Sequence, residues 1–268
     1  VKYSLKFNQA NHKARHLKVI LLRKLNELKE ARKFIEESLQ WDRFNYGIRY
    51  EKYLIDDSND DLQVLRKLMC SNVNNFLEYS LDYAHAGLYN EAASFLNLYI
   101  TDKKNTYPMV YYFLGWYSAQ NRKEKKAQDY YNKASEMLHD YCFPYKLEEM
   151  MALKKALEYN PKDNMAYYYL GNFWYAARQY EDAAYCWEQS RSLNDQFPIT
   201  RKNLALIYYN KKGWHQKALQ EMQQAFDLDK NDSRVLMELD QLYKKMNKPL
   251  KDRLNLLNDN IKLVEYRD

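Results

Sequence analysis

Between Asn164 and Pro198 the apolar positions recur every three or four residues, break briefly, and then do so again. Tyr167, Leu170, Gly171 and Trp174 share one helical face, and Ala183, Trp187 and Ser190 share the face of a second helix. This spacing predicts a helix from about Met165 to Ala177, a turn at Arg178-Gln179-Tyr180, and a second helix opening near Glu181 and Asp182, acids that suit a helix N-terminus. Gly171 lies in mid-helix, where glycine costs about 1 kcal/mol against alanine, so a packing reason is expected. The expected reason is close approach of two helix backbones at Gly171 and Ala183, with Trp174 and Trp187 filling the space beside them. The aromatic stripe therefore reads as core.

The same hairpin pattern recurs along the chain. Leu114 to Leu170, Ala127 to Ala183 and Tyr131 to Trp187 are each 56 residues apart, while Leu170 to Leu204 is 34 and Ala183 to Ala218 is 35. The last offset predicts one extra residue within Lys211-Lys212-Gly213-Trp214. Approximate units are expected at 12–43, 44–72, 73–107, 108–139, a partial unit at 140–163, then 164–197, 198–232 and a more charged capping unit at 233–268. Residues 1–11 read as a frayed polar lead-in. In the first unit Leu17, Leu21, Leu25 and Leu28 mark one face, and Ala31, Ile35 and Leu39 the next. Gly87 is placed to close a helix in the left-handed position. The irregular stretch 140–163 lacks a regular first helix; Pro144 can open a helix, Met150, Leu153 and Leu157 face inward, and Asn160-Pro161 ends it.

The set Tyr167, Leu170, Gly171, Trp174, Ala183 and Trp187 resembles the tetratricopeptide repeat, with Ser190 where that family prefers alanine and Asp195 where it usually has proline. The resemblance implies an all-α fold, a right-handed superhelical solenoid of antiparallel helix hairpins running through residues 1–268 as one array. It also implies a concave binding face lined by first helices. Inward offsets place Tyr112, Trp116, Tyr168, Asn172, Tyr175, Lys202 and Tyr209 there, between residues 108 and 210. Such a polar-aromatic row suits peptide or protein recognition, and packing between neighbouring repeats is the competing role for each residue. Some members of the family hold a peptide's terminal carboxylate with Lys, Asn and Arg residues. Asn172, Asn203 and Arg234 fall at such positions here, but Tyr168 replaces a lysine and Glu238 replaces an arginine, and a glutamate repels a carboxylate. The segments WDRFNYGIRYEKYL, CFPYKLEEMMALKKALEYNP and YYYLGNFWY also resemble the C-terminal helical half of a bacterial multidomain family. In that family a carbohydrate-enzyme-like β-domain of unknown function (DUF5107) precedes the repeats, which implies a helical accessory role beside a domain that this chain lacks.

Composition agrees with a helical chain. Only 5 Gly and 5 Pro occur in 268 residues, well below average usage, which leaves few residues for the tight turns of sheets. A mean hydropathy of −0.81 coexists with 27 Tyr, whose bodies are apolar and tips polar. The formal charge of +6 comes from interspersed signs, so no basic arm is present. Cys70, Cys142 and Cys186 show no paired spacing and are expected as free buried thiols, which favours a reducing, cytoplasmic setting. No apolar run reaches the length of a membrane span, so no membrane partner is expected. The start at Val1-Lys2-Tyr3 reads as a fragment of a longer chain.

Catalytic chemistry finds no constellation. His12 and His16 are four apart on one helix without a further ligand positioned beside them, and they are expected as exposed helix residues. Paired acids such as Glu148-Glu149 and Asp56-Asp57 read as capping or solvated groups, and no nucleophile neighbours a base. The expectation is a non-catalytic, cofactor-free scaffold for a protein or peptide partner, or for an N-terminal domain of its own parent chain. Binding of single-stranded nucleic acid by a basic helical-repeat groove is the weaker alternative, because the charge is mixed.

Overall fold

The computed structural model describes residues 1–100 and 106–264; the end of the expected third unit and the last four residues of the expected cap lie outside them. Every regular element among the described residues is helical. The chain divides into two compact units, Val1–Tyr130 and Tyr131–Asp268, with the division falling inside one helix.

In the first unit a short helix α1 (Lys2–Phe7) replaces the frayed lead-in expected from sequence. It is followed by α2 (His12–Lys24) and α3 (Leu28–Trp41), α4 (Tyr46–Asp56) and α5 (Asn59–Met69), α6 (Val73–His85) and α7 (Tyr89–Asn97), then α8 (Pro108–Gln120) and α9 (Glu124–Ser135). The pairs α2–α3, α4–α5 and α6–α7 each pack together, α8 packs on α7, and α4 packs on both α2 and α3. Val19, Ile35 and Ile48 meet in a dry cluster flanked by Phe34, Leu39 and Ile55. The leucine stripe expected on α2 is turned outward at Leu21 and Leu25, which are 44% and 67% exposed; the buried side carries Val19, Ile20 and His16 instead. His16 is thus a core residue rather than an exposed one. Its ring lies on the backbone of Gly47, where an added Cβ would come within 2.5 Å, and stands edge-on to Tyr83 with centroids 4.9 Å apart. Beside it Glu51 is fully buried and accepts from Arg23 Nε at 2.6 Å, Arg23 Nη2 at 3.2 Å and the Tyr83 hydroxyl at 2.6 Å. A buried carboxylate is tolerated when charge-assisted hydrogen bonds fill its lone pairs in this way.

The second unit contains α10 (Leu147–Tyr159), α11 (Asn164–Ala176), α12 (Tyr180–Leu193), α13 (Pro198–Ile207), a π-helical turn (Tyr208–Lys212), α14 (His215–Leu228), α15 (Ser233–Lys245), α16 (Leu250–Asp259) and a last helical turn, Ile261–Val264. The α11–α12 hairpin matches the sequence reading to within a residue, and Asp163 caps α11 by accepting from the Ala166 N–H. Gly171 has a different partner from the one expected. A Cβ there would stand 2.3 Å from the Trp187 indole, so the missing side chain makes room for a ring rather than for a second backbone. The extra residue in the next hairpin is absorbed inside the π turn, which begins three positions before the expected loop and overlaps it at Lys211 and Lys212, and Gly213 at φ 68 closes it. One inserted residue is the usual origin of such a turn.

The hairpin turns share a closure that only Gly87 announced. At Asn26, Gly87, Arg122, Arg178 and Asn247 the backbone is left-handed. The next N–H bonds back to a carbonyl five residues earlier, as in Gln179 to Trp174 at 2.9 Å and Leu88 to Tyr83 at 2.9 Å. This is a Schellman closure, which satisfies orphan carbonyls at the helix end. Among the thiols Cys142 and Cys186 are buried as expected, whereas Cys70 is exposed in the left-handed turn after α5.

Candidate functional site

In the second unit the stretch before α10 is a strap instead of a helix. Pro144 does not open α10, which begins three residues later at Leu147. Between Tyr141 and Tyr145 the burial alternates: Tyr141, Phe143 and Tyr145 are exposed while Cys142 and Pro144 are buried. Such a period of two belongs to extended backbone, which here follows a left-handed turn at Tyr141, φ 58. The Glu149 carboxylate holds the end of the strap, accepting from the backbone N–H of Tyr145 at 2.7 Å and of Lys146 at 2.8 Å. Its other end is held by His139, whose ring packs on Phe197 at 4.9 Å.

The strap borders a cavity of about 570 Å³ over α11, α13 and α15. That is within the usual range for small-molecule or peptide pockets. The strap contributes His139, Asp140, Tyr141 and Phe143; α11 contributes Tyr168, Asn172 and Tyr175; Lys202 and Asn203 come from α13. Trp187 of α12 forms part of the floor, its ring tilted against Tyr175 with centroids 5.5 Å apart. Its Nε1 donates to the Tyr168 carbonyl at 3.3 Å and to Asn172 Oδ1 at 3.2 Å. Asn203 Nδ2 donates to the same oxygen at 3.4 Å, while the buried Asn172 Nδ2 makes no hydrogen bond of full geometry and has only a weak interaction with the Tyr168 hydroxyl. Across the cavity Arg234 Nε pairs with Glu238 Oε1 at 3.2 Å, while the buried Glu238 Oε2 has no partner. A buried amide donor and a buried carboxylate acceptor thus both lack a full hydrogen bond at one cavity. Unsatisfied buried polar atoms carry a free-energy cost that a bound partner can remove. Burial also raises the pKa of the Tyr168 hydroxyl, keeping it a neutral donor.

The structure brings together Tyr168, Asn172, Tyr175 and Lys202 of the expected row. Tyr209 stands elsewhere, against His215 at 4.6 Å and under Lys245 at 5.2 Å. Tyr112 and Trp116 belong to the first unit and are 0% and 8% exposed, with Trp116 packed on Phe113 and Tyr117. Sequence reasoning names no strap residue as a site residue and offers only that the irregular stretch 140–163 either interrupts the groove or creates the pocket. The strap's signal was a run of aromatics, Tyr141, Phe143 and Tyr145, with no helical period. At the proposed carboxylate-holding positions Glu238 neutralises Arg234, so the basic end of such a clamp is lost. Among the described residues no group of three His, Cys, Asp or Glu side chains could hold a metal ion, and no helix is long and apolar enough to cross a membrane.

Residues 12–45 match the family model described as tetratricopeptide repeat. Among solved structures, MamA (residues 41 to the end) from Desulfovibrio magneticus RS-1 is similar at 19% identity, covering 73% of this chain and 97% of that one, with a TM-score of 0.42. YrrB, described as a tetratricopeptide-repeat protein with an unusual peptide-binding site, is similar at 16% identity over 88% of this chain and 96% of that one, with a TM-score of 0.32.

Proposed function

We propose that this chain, whose residues 12–45 match the tetratricopeptide-repeat model, is a non-catalytic scaffold, one array of helical repeats, and that the strap-bordered cavity of its second unit grips a segment of a protein partner. A domain of the parent chain is one form that partner can take. The observation that carries this reading is the pair of buried atoms without a full hydrogen bond, Asn172 Nδ2 and Glu238 Oε2, at one cavity walled by rigid aromatic rings. A peptide bond offers the carbonyl and N–H that such a donor and acceptor lack. Tyr175 and Phe143 supply apolar contact at small entropic cost, and Lys202 favours an acidic neighbour in the segment.

The test combines Phe143→Ala, Tyr175→Ala and Lys202→Ala in one variant. These side chains are exposed or half-buried, so helicity by circular dichroism should hold. Partners captured by the chain and identified by mass spectrometry should be lost or changed in the variant. An unchanged partner set with unchanged helicity moves the binding site away from this cavity.

A further inference from the structure

The second unit carries a different surface that neither the cavity nor the repeat pattern explains. Three intra-hairpin turns, residues 177–182, 208–217 and 243–252, hold eight Lys or Arg against three Asp or Glu. The turns between hairpins, residues 160–164, 193–198 and 227–233, hold two against five. The acids of that set have local structural work: Asp163 and Asp232 cap α11 and α15, and Asp229 and its neighbours close the turn before α15. Lys211, Lys212, Lys244 and Lys245 are accounted for by helix C-termini, where cations are favoured. Lys217 and Lys251 are not: they lie at the starts of α14 and α16, where the dipole disfavours a cation, and Lys248 lies in the turn between α15 and α16.

Direct contacts join the three turns into one surface; the basic excess lies in 208–217 and 243–252, while 177–182 holds Arg178 against Glu181 and Asp182. Lys211 Nζ lies 4.2 Å over the Tyr180 ring, and Lys212 pairs with Glu181, tying the second turn to the first. Lys245 Nζ lies 5.2 Å over the Tyr209 ring, tying the third to the second. Between them Trp214 is 42% exposed, with Lys217 Nζ 4.4 Å over its ring. We infer that this edge is a docking surface for an acidic polypeptide segment lying across the three turns.

Two observations favour an acidic polypeptide over a nucleic acid. The cations are lysines except for Arg178, so the bidentate forks that read phosphates and bases are scarce. The rings of Tyr180, Tyr209 and Trp214 already carry lysine ammonium groups, so their faces are engaged rather than open for base stacking. Carboxylates, by contrast, need only point charges at the rim of the turns. The acidic turns elsewhere on the unit repel the same segment, which directs it to this edge.

The test uses the full chain and three fluorescent or sedimentable probes at 150 mM salt: a 20-residue poly-glutamate peptide, a 20-nucleotide oligo-uridine, and vesicles containing phosphatidylserine. The peptide should bind, and its affinity should fall as salt rises. Changing Lys211, Lys217, Lys245 and Lys248 together to Gln should weaken it by roughly fifteenfold or more, from about two- to fivefold per charge. Lys202→Ala in the cavity should leave it unchanged, and circular dichroism should show both variants folded. Tighter binding of the oligonucleotide or of the vesicles than of the peptide overturns the inference, as does peptide binding that is absent or indifferent to the four substitutions.

Discussion

At the scale of single residues two glycines and a histidine carry the sharpest consequences. Gly171→Ala puts a methyl group 2.3 Å from the Trp187 indole and displaces the ring that bonds to Tyr168 and Asn172. Overpacking of this kind costs about 1–3 kcal/mol, so urea unfolding should shift to lower midpoint by that amount. Gly87→Ala is the contrasting control: its φ is +74 with open space around the site, so only the backbone preference of about 1 kcal/mol is lost. His16 sets a pH dependence. Burial, with the Arg23 charge adding to it, lowers its pKa from 6.5 to about 3. The unfolded chain therefore takes up a proton near pH 6.5 that the folded chain refuses until about pH 3. The stability associated with neutral His16 is complete above pH 6.5 and falls as pH drops through that window, by up to about 1.4 kcal/mol per pH unit. His16→Phe should flatten this slope in denaturant melts taken across the same window, and an unchanged slope would show that another group governs it.

At the scale of the element, the hairpin turns impose one backbone shape on unlike residues. Arg122 and Arg178 occupy the left-handed position that Gly87 occupies in its own turn. Relieving that strain with Arg178→Gly should stabilise the protein by roughly 1 kcal/mol, read as a rise in melting temperature, because the Gln179 to Trp174 bond needs only the backbone. The π turn is a second element-scale device. It holds the one residue by which the α13–α14 hairpin exceeds its predecessor. Deleting Asn210, an exposed residue within it, should restore a plain α-helical register with helicity retained by circular dichroism. Loss of folding on that deletion would mean that the turn is required by the packing of Tyr208, whose hydroxyl donates to Glu188 at 2.7 Å.

For the molecule as a whole, the two units show different ways of using one repeat. The first buries a charged network, with Glu51 satisfied by Arg23 and Tyr83, and fills its centre with aromatic contacts such as Tyr50 on Phe95 at 4.9 Å. The second replaces a helix with a strap, leaves polar atoms short of a full hydrogen bond at a cavity, and separates its charges between two sets of turns. Circular dichroism of the whole chain should therefore report helix without a strand contribution. Acidification should affect the first unit before the second, because His16 lies there. Hydrogen exchange with mass spectrometry below pH 6 should show protection lost in α2, α4 and α6 ahead of α11 and α12. Earlier loss in the second unit would count against the buried histidine as the acid-sensitive group.

The sequence by itself determined the helical class, the hairpins around Gly171 and Gly87, and the one-residue excess after Tyr208. These depend on spacings of one to four residues and on repeated offsets, which are local properties of the chain. It misplaced the buried side of α2, because Leu21 and Val19 are both apolar and only the neighbouring helices decide which is covered. Tyr168, Asn172, Tyr175 and Lys202 were legible as one group because they sit at equivalent positions of adjacent first helices. The strap was not legible as a wall of the cavity, since an extended segment carries no helical period and its alternation is short. Only the tertiary structure decided that Trp187 fills the space left by Gly171, that Asn172 and Glu238 are left with buried atoms short of a full hydrogen bond, and that lysines far apart in the chain meet at one edge. Each of these depends on distances between side chains that are remote in sequence, and those distances exist only once the helices have packed.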